Sequence, residues 1–490
     1  MSKGFSELDW FVFASYFIVL ASSSYLFSQF RIQSVRDYFV SSNSMPMLAV
    51  AVSIVATSQS AATFLGVPEF SYTNNFSFLG FYLSAFVAAV FISIVFIPKF
   101  YKYKVVTVYE LLQKRYGEKA KKQAGLMFLL GRVMASGARL YIGALAISMI
   151  LFLDISFVHM LLSILILIAG ALAYAYFGGI KSIIFSDAIQ AFTYIGAGLL
   201  VFWYLYASLG DVSILQILHQ HHKLELFDTS LNGKFSIITL FSGWLLLNIA
   251  AFGLDQDMAQ RVLSCKNKKD AIKSLLFSIL LTIPIVVLFL GIGALLFVHY
   301  HTGFIQQHFQ GESVTIFMYY ILNEMPSGLR GLVTVGAIAA ALSSTNSVLG
   351  AMASVAVEDM YRPYKMRKNP NTPEAHFLKA SRNAVLLFAL ILSLMAILSY
   401  FWQKESQLPL VSFALGVMTF AYTGLLGVFF SAVFTSRGSA KTVPFALLGG
   451  FLTVLALQPY IFGIHLGFAW QMVLGTLISF LIMQTDKQRS

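Results

Sequence analysis

Few side chains in this sequence can do chemistry, and those few stand inside otherwise apolar stretches. In Ala339-Ala340-Ala341-Leu342-Ser343-Ser344-Thr345-Asn346-Ser347, the residues Ala340, Ser343, Ser344 and Ser347 recur at i, i+3, i+4 and i+7 and share one helix face. Small residues around them let a second backbone approach. Two or three hydroxyls with nearby carbonyls form the all-oxygen shell that a dehydrated hard cation such as sodium takes. The same hydroxyls could instead return to their own i−4 carbonyls and hold helices together, and the spacing leaves both readings open.

Asp187 follows Gly178-Gly179-Ile180-Lys181 and lies about 9 Å beyond Lys181 if the intervening residues rise 1.5 Å each. An acid at that depth has to be paired, protonated or bound to a cation. Arg132 and Arg139, seven residues apart on one helix face, are the candidate partners. Arg132 is expected to snorkel to the cytoplasmic boundary. Arg139, near mid-span, either pairs with Asp187 or receives a carboxylate from a bound solute. The run Asp255-Gln256-Asp257 up to Arg261 reads as a helix-end network or gate. No cluster of His, Cys and carboxylates is assembled within the apolar stretches, which disfavours an enzyme.

The elements that position these residues are membrane spans. Hydrophobic residues make up 58% of the 490 and charged ones 11%, outside the soluble range. Roughly 20 apolar residues cross about 30 Å of hydrocarbon, and about thirteen such stretches are predicted. They lie near 9–30, 46–72, 76–99, 124–153, 157–177, 182–208, 236–255, 272–300, 329–357, 380–402, 408–435, 442–461 and 464–484. The expected fold is all-α and integral to the membrane, one domain over 1–490. The second span carries Thr57, Ser58, Gln59, Ser60 and Thr63 in mid-membrane, followed by Gly66 and Pro68. A broken helix lining a cavity is how a bilayer accommodates such a run. Gly243, Asn248 and Gly253 interrupt the seventh span, five spans later. Paired interruptions of this kind are expected of an inverted-repeat transporter, here with spans 2 to 11, about 46–435, as its core.

The formal charge of +12 has a topological explanation. Arg31 with Arg36, the runs Lys99–Lys122, Arg261–Lys273 and Arg362–Arg382, and Lys487 with Arg489 fall on one side. Lys3, Lys223, Lys234, Arg330 and Lys404 fall on the other. The positive-inside rule then puts the N-terminus outside and the C-terminus in the cytoplasm, and no nucleic-acid partner is needed to account for the charge. Glu7 and Asp9 precede the first apolar run without a small-residue cleavage pattern, so that span is expected to be retained. The lone Cys265 permits no internal disulfide.

Three strings, Gly178-Gly179-Ile180-Lys181 with Asp187 and Gln190, Asp255-Gln256 with Gln260-Arg261, and the serine face running on to Glu358-Asp359-Met360-Tyr361, are the most specific parts of a likeness to a known family. The chain resembles the sodium/solute symporters over nearly its whole length. The resemblance implies about thirteen spans and a five-plus-five inverted repeat of the LeuT type. It implies a sodium site at the carbonyls of Ala56 and Gln59 and at Ala340, Ser343 and Ser344. Some relatives hold a second sodium at positions matching Asp187, Asn346 and Ser347, with two serines where this chain has Asn346-Ser347. The matching substrate positions are Ser58, Ser60, Thr63 and Tyr82, with Arg132 or Arg139 nearest to a substrate arginine. Thr63 and Tyr82 stand where galactose carriers place Gln and Glu, so a galactose-like site is not expected. The expectation is a monomeric secondary transporter of the bacterial inner membrane that couples sodium to uptake of a small solute. A carboxylate-bearing metabolite is favoured, such as an amino acid, a sialic acid or an organic acid. Proton coupling through Asp187 and a non-transporting solute sensor are the alternatives.

Overall fold

In hydrocarbon every backbone N–H and C=O has to be satisfied within its own segment, which for an apolar chain lacking alternating strand patterns leaves the α-helix. The computed structural model describes residues 5–28, 32, 34–228, 233–301, 308–309, 312–313, 315–406, 410–464 and 466–486. Lys3, Arg31, Lys487 and Arg489, which entered the topology argument, lie outside the described residues. The main helices are α1 (Glu7–Ser28), α2 (Met47–Ser58), α3 (Ala61–Thr73), α4 (Leu79–Tyr103), α5 (Glu118–Phe152) and α6 (Phe157–Ser208). They continue with α7 (Gly243–Gly253), α8 (Gln256–Ser264), α9 (Lys268–Tyr300), α10 (Leu329–Lys368) and α11 (Glu374–Ser406). The last three are α12 (Leu410–Phe434), α13 (Val443–Ala456) and α14 (Phe468–Gln484). Extended pairing among the described residues is confined to a two-residue hairpin and two isolated bridges.

By length and apolarity, 7 helices among the described residues suffice to cross a membrane, or 9 if each of two bent pairs is one span. The stretches predicted at 157–177 and 182–208 are the two arms of α6, which is kinked at Gly179 with φ 57 and ψ −160. A Cβ at Gly179 would lie 2.6 Å from the Tyr38 carbonyl oxygen, so both the backbone angle and the packing require glycine there.

Both expected interruptions are present. α2 and α3 meet at 64°, and the segment containing α7 meets α8 at 53°. The first break falls at Gln59 and Ser60, both extended, within the hydrogen-bonding run; Gly66 and Pro68 lie inside α3. A new helix starts there because the amides of Thr63 and Phe64 return to the Ser60 carbonyl. At the second break the Asp255 carboxylate caps α8 by accepting from the Asp257 amide at 2.9 Å. The Gln256 side chain fastens this turn to the Val106 carbonyl and the Val108 amide at 2.8 and 3.0 Å.

α10 is the central helix. Its most apolar window is 94% buried, against 39% for those of α6 and α11, and α6 is its chief neighbour. α12, α13 and α14 pack on one another at the side.

Candidate functional site

The kink at Gly179 turns the second arm of α6 so that Asp187 lies wholly inside the bundle. Its Oδ1 accepts from Ser343 Oγ of α10 at 2.8 Å. Its Oδ2 accepts from Ser53 Oγ and Thr57 Oγ1 of α2 at 2.5 and 3.4 Å, and from Arg261 Nη2 of α8 at 2.9 Å. One carboxylate thus joins four helices. Neither Arg132 nor Arg139 is its partner, contrary to the sequence-based expectation. The bend at Leu254–Asp255 carries Arg261 under α2 and α6, a displacement that spacing along the chain does not reveal.

Arg261 is itself fully buried. Its Nε donates to Ser53 Oγ at 2.8 Å, and its Nη1 donates to the Asp257 carbonyl and Oδ1 at 2.8 and 2.7 Å. Its Nη2 also donates to Ser347 Oγ. Arg132 does not snorkel. It is 3% exposed, with Nη2 2.5 Å from Asp257 Oδ2 and Nε 3.3 Å from Asp255 Oδ2. Asp255 and Asp257 at the break hold it instead, since a buried guanidinium needs a counter-charge. Tyr422 closes the row by donating to Asp255. The result is an alternating line, Asp187–Arg261–Asp257–Arg132–Asp255, through the second break. It is the helix-end network expected of this segment.

Because α2 stops at Ser58, the carbonyls of Ala56 and Gln59 receive no hydrogen bond among the described residues. On α10, Ser344 Oγ donates to the Ala340 and Ala341 carbonyls at 3.2 and 3.0 Å, and Ser347 Oγ donates to the Ser343 carbonyl at 2.6 Å. A donating hydroxyl still offers two lone pairs, so these bonds and a cation are compatible. Thr57 Oγ1 and Ser347 Oγ, 3.4 Å apart, bring the broken end of α2 against the serine face. Carbonyls and hydroxyls suit a hard cation. Asn346 Oδ1 accepts from Ser347 at 3.1 Å, and its Nδ2 is buried without a hydrogen-bond partner among the described residues.

Ser58, Ser60, Thr63, Tyr82, Arg132 and Arg139 line one cavity. Phe78, Phe81 and Phe252 supply apolar wall, and Asn248, Asp255, Met418 and Tyr422 are further lining residues. Tyr82 accepts from Gln59 Nε2 at 3.3 Å, which links the cavity to the broken turn. Arg139 Nη2 donates to the Met418 sulfur at 3.0 Å, and no carboxylate among the described residues pairs with it. Asn248 was legible as a polar residue in an interrupted span. Met418, Tyr422, Ser53 and Thr57 were not assigned to either site from sequence. The two on α12 carry no signal a sequence reader could use, whereas Ser53 and Thr57 precede Gln59 on the serine- and threonine-bearing side of α2.

Two broken helices, an oxygen-rich cluster at one break and an arginine-bearing cavity beside it define a membrane solute carrier. Residues 38–450 match the sodium:solute symporter family, and the chain belongs to that family. It is 26% identical to the sodium/sialic acid symporter SiaT of Proteus mirabilis, over 96% of this chain and 93% of the relative. It is 25% identical to the sodium/glucose cotransporter of Vibrio parahaemolyticus, over 92% and 87% of the two chains. The fold is similar to that of a Na+-coupled sialic acid symporter solved in a substrate-bound outward-open state, with a TM-score of 0.82 at 24% identity, over 98% and 97% of the two chains. The protein is therefore a multi-pass, LeuT-like, sodium-coupled solute symporter, with sodium and a solute as its partners. Its relatives are transporters, not enzymes.

Proposed function

We propose that the protein uses inward sodium movement to carry a small carboxylate-bearing solute into the cytoplasm across a bacterial inner membrane. The observation that carries the reading is Arg139, a guanidinium on the cavity wall whose one side-chain hydrogen bond among the described residues is to the sulfur of Met418. A thioether is a weak acceptor, and a planar fork of donors in a low-dielectric cavity is matched by a carboxylate, which it binds through two parallel hydrogen bonds. Arg132 contributes less directly, since Asp255 and Asp257 already neutralise it. Ser58, Ser60, Thr63 and Tyr82 provide the hydroxyls that orient the rest of the solute. Sialic acid, named for one relative, carries a carboxylate; glucose, named for another, does not.

Sodium is held in this reading by the carbonyls of Ala56, Gln59 and Ala340 and the hydroxyls of Ser343 and Ser344. Asp187 accepts a hydrogen bond from the Ser343 hydroxyl, which leaves the Ser343 lone pairs for the ion. Asp187 has no comparable role as a proton carrier, because four donors already occupy it. A monomer with thirteen spans, an inverted repeat over spans 2 to 11, the N-terminus outside and the C-terminus in the cytoplasm completes the reading. Thermal-shift screening of N-acetylneuraminate, proline, lactate and galactose in sodium and in choline buffer tests it. One or more of the carboxylates should raise the melting temperature, and only in sodium. Stabilisation by galactose alone would overturn the carboxylate assignment.

A further inference from the structure

The cavity's hydroxyls gather at one turn. Ser58, Ser60 and Thr63 belong to the first break, and Tyr82 is linked to the same turn through the Gln59 side chain. Around them the flanking elements present Val67 from α3, Phe78 and Phe81 at the start of α4, and Leu247 and Phe252 from α7. The Phe78 and Phe81 rings are stacked with their centres 5.8 Å apart. A solute hydroxyl turned toward these side chains gives up water and gains no partner. Asn248 offers one exception, since its amide nitrogen already donates to the Phe81 carbonyl at 3.3 Å while its oxygen is buried without a hydrogen-bond partner among the described residues. That leaves room for a single donor.

The charges on the wall are as restrictive. Arg132 is matched by Asp255 and Asp257, whereas Arg139 has no acid partner among the described residues, which calls for one carboxylate and not two. Asp255, the one acid among the described lining residues, is already engaged. Arg132 Nε lies 3.3 Å from its Oδ2, and the carboxylate accepts from the Asp257 amide at 2.9 Å and from Tyr422. An ammonium on the solute would therefore bury its charge without a counter-charge. We propose that the solute is a monocarboxylate with an apolar, branched or aromatic body and at most one hydroxyl. Polyhydroxylated acids and zwitterionic amino acids are then poor substrates. The inference rests on the reading of Arg139 as the carboxylate site.

The test is calorimetric titration of the purified full-length protein in sodium buffer. Isocaproate, α-hydroxyisocaproate, leucine and the uncharged isocaproamide share one carbon skeleton; phenyllactate adds an aromatic body, and gluconate and N-acetylneuraminate add polyhydroxylated ones. At least one of the three apolar acids should bind about tenfold more tightly than leucine, gluconate and N-acetylneuraminate. Should any of those three bind as tightly, the inference falls and the carboxylate reading stands. Equal binding of isocaproate and isocaproamide would instead strike the carboxylate reading of Arg139. Binding by none of the apolar acids overturns the inference outright. Phe252→Asn takes an apolar face from the wall, so the apolar acids should lose about tenfold in affinity while gluconate binds no worse. Equal losses for both kinds of acid would count against an apolar wall that selects the solute. Should that variant fail to fold, the wild-type series decides.

Discussion

Asp187 and Arg261, 74 residues apart in the chain, meet at 2.9 Å with both side chains fully buried. Their contact joins the kinked helix α6 to the short helix that follows the second break, and Ser53 and Ser343 attach the first broken helix and the central helix to the same carboxylate. The first broken helix, the kinked helix, the helix after the second break and the central helix are thus tied at one point.

Breaking that pair from one side should be costly. Asp187→Asn keeps the shape but leaves a buried guanidinium short of a counter-charge, an error worth roughly 3–5 kcal/mol when a buried ion pair loses one partner. The melting temperature should fall, and Asp187→Asn/Arg261→Gln should recover most of the loss. Equal melting temperatures for the single and double variants would show that the pair does not stabilise the bundle.

Ser343→Ala removes a proposed sodium ligand and the donor to Asp187 Oδ1. Hydrogen bonds to charged groups contribute about 1.5–3 kcal/mol, so apparent sodium affinity should drop roughly ten- to a hundredfold while the protein stays folded. Sodium dependence of uptake measures it, and an unchanged half-saturation concentration contradicts the site.

At the cavity, Arg139→Lys exchanges a planar fork for a point charge and Arg139→Gln removes the charge. Both should weaken carboxylate binding, Gln by about 2 kcal/mol or more, with sodium binding of the solute-free protein little altered. Calorimetric titration of the stabilising carboxylate separates the two effects. Undiminished affinity in both variants would transfer the role away from Arg139.

Coupling should be reciprocal. The Gln59 carbonyl is a proposed sodium ligand, while the Gln59 side chain donates to Tyr82 in the cavity, so an ion that orders the broken turn also places a cavity residue. Sodium should tighten solute binding, and the solute should tighten sodium binding by the same factor, typically about 5- to 150-fold. Equal solute affinities in sodium and choline buffers would exclude this mechanism.

Cys265, in the link between α8 and α9, offers a pH prediction. Burial pushes its thiol up to about 12 from 9.0. Because the raised value favours the protonated thiol in the folded state, its contribution to stability is present below pH 9 and is lost as the pH climbs toward 12. At pH 7.4, maleimide labelling should be slow in the folded protein and rapid in denaturing detergent. Fast labelling of the folded chain would mean that this link opens readily.

Much of the architecture was legible along the chain. Contiguous apolar runs between clusters of Lys and Arg located the helical segments, and the Gly178-Gly179 pair stood at the kink of α6. The polar run from Thr57 to Thr63 and the stretch ending at Gly253 announced the two breaks. Each of these is a local property: a segment partitions into hydrocarbon, or loses its helical hydrogen bonds, according to its own residues. The six positions proposed for the solute also line one cavity: Ser58, Ser60 and Thr63 stand at or beside the first break, and Tyr82, Arg132 and Arg139 come from the intact helices α4 and α5.

Which charge meets which was decided only in three dimensions. On paper Arg132 and Arg139 are the partners offered to Asp187, yet Arg261 takes it, Arg132 is held by Asp255 and Asp257, and Arg139 is left to the cavity. Ion pairing discriminates over a few ångströms, and those ångströms are set by bends of 64° and 53° between segments far apart in the chain. Composition and spacing therefore determined that this protein spans the membrane, where its helices break and which side chains are available for ions and solute. The angles at which the broken helices pack, a property of the whole bundle, decided that Asp187 faces a tethered guanidinium and that Arg139 faces the cavity.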